Sequence, residues 1–412
     1  MKKPFHHLIA HHIRKYHRHF TKYLYEKDTI FATAWVFIFI IMVNILPLPN
    51  MHFFDPMKLA LKDFDFNDIA YSKLKGPDSL DKRVVIINIG HAERDGLSYL
   101  IEKTASMHPK AIGLDAYFEG PKDPYKDSLL KAVFEKTNNL VAISRIEWDH
   151  HGEGTFLKDF YDSLHSLTGF GNLTGEEGGT MRYFSPYEKI ADSVHYSFPA
   201  MLVKQFSPEA FGKLKKRHDH NEIINYTRRA QQYLIVEAED LLNDNVDESA
   251  IKGKIALLGY ISTDENDIED KVFTPMNKKF AGKAIPDMNG IVVHANIISM
   301  ILDHNYIKKL PSWINYLAAI LIGWLHMSFF IRYYLENHIW FHLVAKFAQL
   351  LSAIFFVYLG IYLFSSHAVQ LDMSLTLIVI VLAVDIIYFY EAFAVWMHKK
   401  FAYKTVFHQL HH

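Results

Sequence analysis

Residues 290–331, GIVVHANIISMILDHNYIKKLPSWINYLAAILIGWLHMSFFI, hold two kinds of sequence in one stretch. The first part, Gly290–Leu302, has the periodicity of a helix packed within protein. The second, Trp313–Ile331, is long and apolar enough to cross a hydrocarbon core of about 30 Å. Lys308, Lys309 and Pro311 stand between them. A folded domain therefore ends where a membrane anchor begins, and the joining helix is expected to lead directly into the span. A shift in that helix would then move the membrane segments.

Working outward, three further stretches match the second kind: Thr29–Leu46, Val344–Phe364 and Leu371–Met397. Thr29–Leu46 runs into Leu-Pro-Leu-Pro-Asn with no small-residue cleavage site, so it reads as an uncleaved anchor. Lys2, Lys3, Arg14, Lys15, Arg18, Lys22 and Lys27 precede it, Arg332 lies between spans two and three, and Lys399, Lys400 and Lys404 follow span four. The loop 365–370 has no Lys or Arg. The excess of positive charge on the cytoplasmic side of membrane proteins gives one topology. The arm 1–28 and the tail 398–412 are cytoplasmic, and residues 47–310 lie outside.

Over the whole chain these features average away. The 412 residues are 50% hydrophobic, 15% aromatic and 22% charged, with a formal net charge of −1. That composition excludes a disordered chain, and its near-neutrality excludes nucleic acid as an electrostatically gathered partner. With no cysteine at all, thiolate nucleophiles, disulfides and Cys-ligated metals are ruled out.

Within 47–310, Arg83–Ile89 (RVVIINI) is a nearly continuous β-branched run, as in a strand buried on both faces. Glu93–Met107 follows as an amphipathic helix, then strand Ala111–Asp115, helix Asp127–Lys136 and strand Leu140–Ser144. Gly169–Gly179 reads as a glycine-rich loop, Tyr196–Gln205 as a helix, and Tyr233–Val236 and Lys254–Gly259 as later strands. This order predicts an α/β domain with a largely parallel or mixed sheet, joined to a four-helix transmembrane anchor of one N-terminal and three C-terminal helices.

AIGLDAYF with DSLLKAVFEKTNNLVAI, GFGNLTGEEGGTMRYFSP, and GKIALLGYISTDENDIEDKVFTP followed by MNGIVVHANIISMIL carry a family resemblance. Together they resemble the second CHASE type of extracellular sensory domain, found on cyclases and histidine kinases. The likeness spans roughly residues 80–310, and the family's layout of one helix before the domain and three after it also matches. It implies a sensory role. The sequence departs from the family at Asn88-Ile89-Gly90-His91, where members place an Asp and then a Trp-Pro-x-x-Arg-like segment. Family members carry a cytoplasmic output module after the last helix, whereas only Lys399–His412 follow here. The output is therefore expected on another polypeptide, with the chain acting as the sensing or scaffold subunit of a bacterial inner-membrane complex.

Ligands of parallel sheets sit beyond the carboxyl ends of the strands. Asp115, Thr263, Asp264, Asp270 and Thr274 fall at or after such ends, and His294 and Arg182 are placed to join them as a small-ligand or divalent-ion pocket. The alternative is that the carboxylates cap helices and fix loops while His294 packs. Nothing marks a nucleophile or a complete metal-ligand set, so no enzyme activity and no cofactor are expected. GEEGG (175–179) is not a phosphate loop, because its carboxylates would repel phosphate.

In the membrane, His326, Gln349 and Asp385 lie about 13 to 15 residues from the outer ends of three spans, roughly 20 Å deep at 1.5 Å per residue. An internal Asp385–His326–Gln349 network is the expectation, since ionisable groups in spans face a bundle interior. A small transporter using Asp385 and a purely structural docking subunit are the alternatives. Partners are lipid, a membrane protein carrying the output, and a second copy in a homo-oligomer. His6, His7, His11, His12, His17 and His19 crowd the arm, as a basic surface on anionic lipid or as a metal site. Asn172 and Asn225 stand in sequons.

Overall fold

The structure is a computed structural model describing residues 23–45, 67–74, 76, 78–161, 167–173, 179–262, 264, 266–277, 285–336 and 338–410. The His-rich arm, most of GEEGG and Thr263 lie outside the described residues. The chain divides into two compact units, residues 62–307 and residues 1–61 with 308–412.

The first unit is built on a seven-stranded mixed sheet of β1 (Asp81–Asn88), β2 (Ala111–Leu114), β3 (Leu140–Trp148), β4 (Gly154–Leu157), β5 (Thr168–Phe170), β6 (Tyr233–Glu237) and β7 (Ile255–Gly259). The order is β6-β1-β7-β2-β3, with β4 and β5 both pairing with β3. Every pairing is parallel except β3–β4. The continuous apolar runs are explained by burial on both faces. Val85, Ile87, Ile112, Leu114, Ala256 and Leu258 pack with Leu97, Leu100, Ile101, Leu130 and Phe134 of helices α2 (Arg94–Ser106) and α3 (Pro124–Lys136). Asp123 caps α3 by accepting from Tyr125 and Lys126 N–H, supplying a partner to otherwise orphaned donors.

The other face is covered by α4 (Phe198–Phe206), continued by α5 (Pro208–Lys215), and by α6 (Gly290–Asp303). A Cβ on Gly113 would come within 2.8 Å of Leu202 and Phe198 of α4. At Gly169 it would lie 2.6 Å from the Phe198 Cα. Gly169 and Phe170 belong to β5, so the expected glycine-rich loop begins as a strand. Its glycine is required because a helix backbone presses on it. Residues 290–301 of α6 are all buried.

Helix α6 is not continuous with the apolar helix that follows it in the chain. His304, at φ +51°, ends it in a left-handed cap, and in the second unit Lys308–Lys309 pair with Val369–Gln370. Residues 304–311 therefore join α6 to the next apolar helix, with Lys308, Lys309 and Pro311 between the two helices.

In the second unit four helices are long and apolar enough to cross a membrane: α1 (Lys27–Ile45), α7 (Ser312–Glu336), α8 (Phe341–His367) and α9 (Ser374–Phe401). They match the expected spans with shifted ends. Span four begins at Ser374, whose N–H is capped by Asp372. Helices α7 and α9 pack most closely, and a Cβ on Gly323 would lie 2.7 Å from Val379, the small-residue contact by which helices approach in lipid.

Candidate functional site

Helix α6 organises the site, and its two ends differ. At the amino end, Asp115 follows β2 and Asp270 approaches α6 from the loop after β7. Gly290, the first residue of α6, donates its N–H to the Asp270 carbonyl at 2.9 Å. The Asp270 carboxylate oxygens lie 3.5 and 3.6 Å from where a Gly290 Cβ would be. Asp270 holds φ at +53°, a region unfavourable for a side-chain-bearing residue.

Burial, reinforced by the charge of Asp270, pushes the Asp115 carboxyl up to about 7. Asp270 rises to about 6 through desolvation and the neighbouring Glu269. The residue itself remains exposed, so Asp115 is the more firmly perturbed of the two. One turn along α6, His294 is 3% exposed, with its ring edge-on to Phe198. Its Nδ1 has no hydrogen-bond partner, and neither do the buried hydroxyls of Ser144 and Ser197. Burial lowers His294 to about 4, so the imidazole is neutral.

The carboxyl end of α6 is saturated. Ser299 donates to Asp81 at 2.7 Å, and Arg83 donates to both Asp81 oxygens at 2.9 and 2.7 Å. Arg83 also reaches Asp303, the last residue of α6, at 2.7 Å. Burial raises Asp81, but the Arg83 guanidinium and backbone and the Ser299 hydroxyl more than offset it, leaving about 2. Between the two ends, Asn296 accepts from the N–H groups of Thr227 and Arg228 and donates to the Arg228 carbonyl. The Gly-x-x-x-His-Ala-Asn run therefore has three separate uses: Gly290 passes beneath Asp270, His294 fills the core, and Asn296 ties a neighbouring segment.

The proposed pocket is brought together only in part. The Asp115 carboxyl feels the charge of Asp270, and Asp270 lies against Gly290, one turn before His294. Arg182 instead forms a two-pronged ion pair with Asp68, at 3.0 and 2.6 Å. Thr274 donates its N–H and hydroxyl to Asp287, whose carboxyl burial still raises to about 6. Asp264 is exposed and accepts from Asn266 N–H, a loop-fixing turn. Among the described residues no three His, Cys, Asp or Glu side chains gather as a metal site. Both sequon amides are engaged, Asn225 with the Asn305 carbonyl and Asn172 with Ile146.

The intramembrane trio is not joined. Gln349 donates to the carbonyls of Ile380 and Val381, both at 2.8 Å. His326 bonds Ile322 and Ser352. Asp385 faces outward beside Lys346. Equal depth placed the three on one level, but not on one side of their helices. The buried acids of this unit, among the described residues, are instead Glu391, which accepts from the Tyr334 hydroxyl at 2.7 Å, and Asp28, the latter 2% exposed. Asp28 accepts from the hydroxyls of Tyr390, Tyr403 and Thr405 and from Val406 N–H. Asp28 fell just outside the apolar run in the sequence, and nothing local links it to residues so distant.

An α/β unit with a mixed sheet, in one chain with apolar helices able to span a membrane, defines a membrane-attached domain protein. The family model described as CHASE2 domain matches residues 38–329. The chain belongs to the CHASE2 domain family, a family of sensory extracellular domains. No curated protein matches the chain, and no solved structure does.

Proposed function

We propose that this protein is an extracytoplasmic sensor of a bacterial inner membrane, non-enzymatic, with both termini cytoplasmic. Its responding element is α6. The observation that supports this reading is that Asp270 sits against Gly290, the first residue of α6, while its charge acts on the buried Asp115 carboxyl. Neutralising one carboxyl, by a proton or a cationic ligand group, removes the repulsion and lets the pair close over Gly290. The change passes along α6 and residues 304–311 into the spans, and from there to a membrane partner that carries the output. The orientation is supported by the Lys and Arg distribution. The outward position of Asp385 gives the transport reading no support.

Because the chain has no cysteine, Leu310→Cys supplies a single reporter in the link. Its maleimide-labelling rate in membranes, taken relative to the same reporter in an Asp115→Asn/Asp270→Asn chain, should change about threefold or more between pH 5 and 8. A constant ratio would refute the sensor reading. Recovery of the chain alone after crosslinking at native expression would remove the separate output partner.

A further inference from the structure

The membrane unit carries an ion pair on its outer surface. Lys346 of α8 and Asp385 of α9 are 3.8 Å apart, with side chains 56% and 58% exposed. Their neighbours one turn away, Leu350 and Val381, are exposed apolar residues, so the pair is embedded in a greasy face. Lys346 stands on the second turn of α8 and Asp385 in the first half of α9, level with each other at 3.8 Å. A charged pair facing lipid is costly and favours a protein or polar surround. On the same seam, the exposed Tyr388 hydroxyl and His342 Nε2 lie 2.9 Å apart.

A surface bearing both signs of charge at one depth is complementary to itself. A two-fold axis along the membrane normal preserves depth and presents the same patch from both copies, as an isologous interface requires. It can therefore set Lys346 of each copy against Asp385 of the other. We propose that the α8–α9 seam is a homodimer interface, in which two Lys346 and two Asp385 side chains close into an alternating ring of four charges away from lipid. A second copy supplies both required charges by construction. This assignment is independent of what the extracytoplasmic domain senses.

The test uses the full chain in native membranes. Leu350→Cys, the only cysteine present, should give a disulfide-linked dimer on mild oxidation, and Ile41→Cys on α1 should not. In the Leu350→Cys background, Lys346→Asp or Asp385→Lys should reduce the dimer about tenfold. The two reversals together should restore it, because the swapped pair is again self-complementary. If the single reversals do not accumulate in the membrane, the size-matched Lys346→Gln/Asp385→Asn chain decides, with loss of crosslinking expected. An unchanged dimer yield in the charge variants, failure of the double reversal to restore dimer at normal membrane levels, or crosslinking only to a different protein would overturn the proposal.

Discussion

The two ends of α6 are built on opposite principles. At the carboxyl end, Asp81 and Asp303 share Arg83, and Ser299 completes the set. At the amino end, no cation among the described residues offsets the burial of Asp115 or Asp270, and His294 leaves a ring nitrogen unpaired. A buried charge that is paired and hydrogen-bonded holds its element in one place, whereas an unpaired one shifts its protonation state and leaves its element responsive. One helix thus has a fixed end and an adjustable end.

The contrast breaks most severely at the fixed end. Arg83→Ala leaves Asp81 buried without its partner, and should cost about 3 kcal/mol, read by chemical denaturation of the detergent-solubilised chain. At the adjustable end the effect has the opposite sign. Asp115 titrates near 7 in the fold against an ordinary value near 3.8. The folded state therefore binds the extra proton, and stability is lost as pH rises from about 4 to about 7. Asp115→Asn should therefore stabilise the domain at pH 8 by about 2 kcal/mol, allowing for its partial exposure, and have little effect at pH 4. A Tm series across that range reads the difference.

His294 works in reverse. Its value is depressed from 6.5 to about 4, so its contribution is present above pH 6.5 and lost as pH falls toward 4. His294→Leu should flatten that acid limb by about 1–2 kcal/mol. The smallest expected change is Gly290→Ala. Its new methyl meets nothing closer than the Asp270 carboxylate at 3.5 Å, and stability should move by no more than about 0.5 kcal/mol.

The sequence exposed most of the architecture for a simple reason. Strands buried on both faces write themselves as unbroken β-branched runs, as in Val84–Ile87, and spans as long apolar runs; both signals are local. The site was legible only where position along a strand decides it, as for Asp115, or where a residue falls at the start of α6, as for His294. Arg182 and Thr274 were misassigned to the pocket because their partners, Asp68 and Asp287, are fixed by loop geometry that no periodicity records. Asp28 and the Asp81–Arg83–Asp303 set were missed for the same reason. The partners of Asp28 lie more than 360 positions away, and Asp303 looked like an ordinary helix end.

The central claim, a fixed and an adjustable end on one helix, is tested most directly by hydrogen exchange along α6 in the full chain at pH 5 and pH 8, expressed as protection factors. Protection over 290–296 should change about tenfold between the two values. Protection over 297–303 should stay constant, and the Asp115→Asn/Asp270→Asn chain should lose most of the change at the amino end, keeping only what Asp287 contributes. Equal pH response at both ends, or none at the amino end of the wild-type chain, would contradict it.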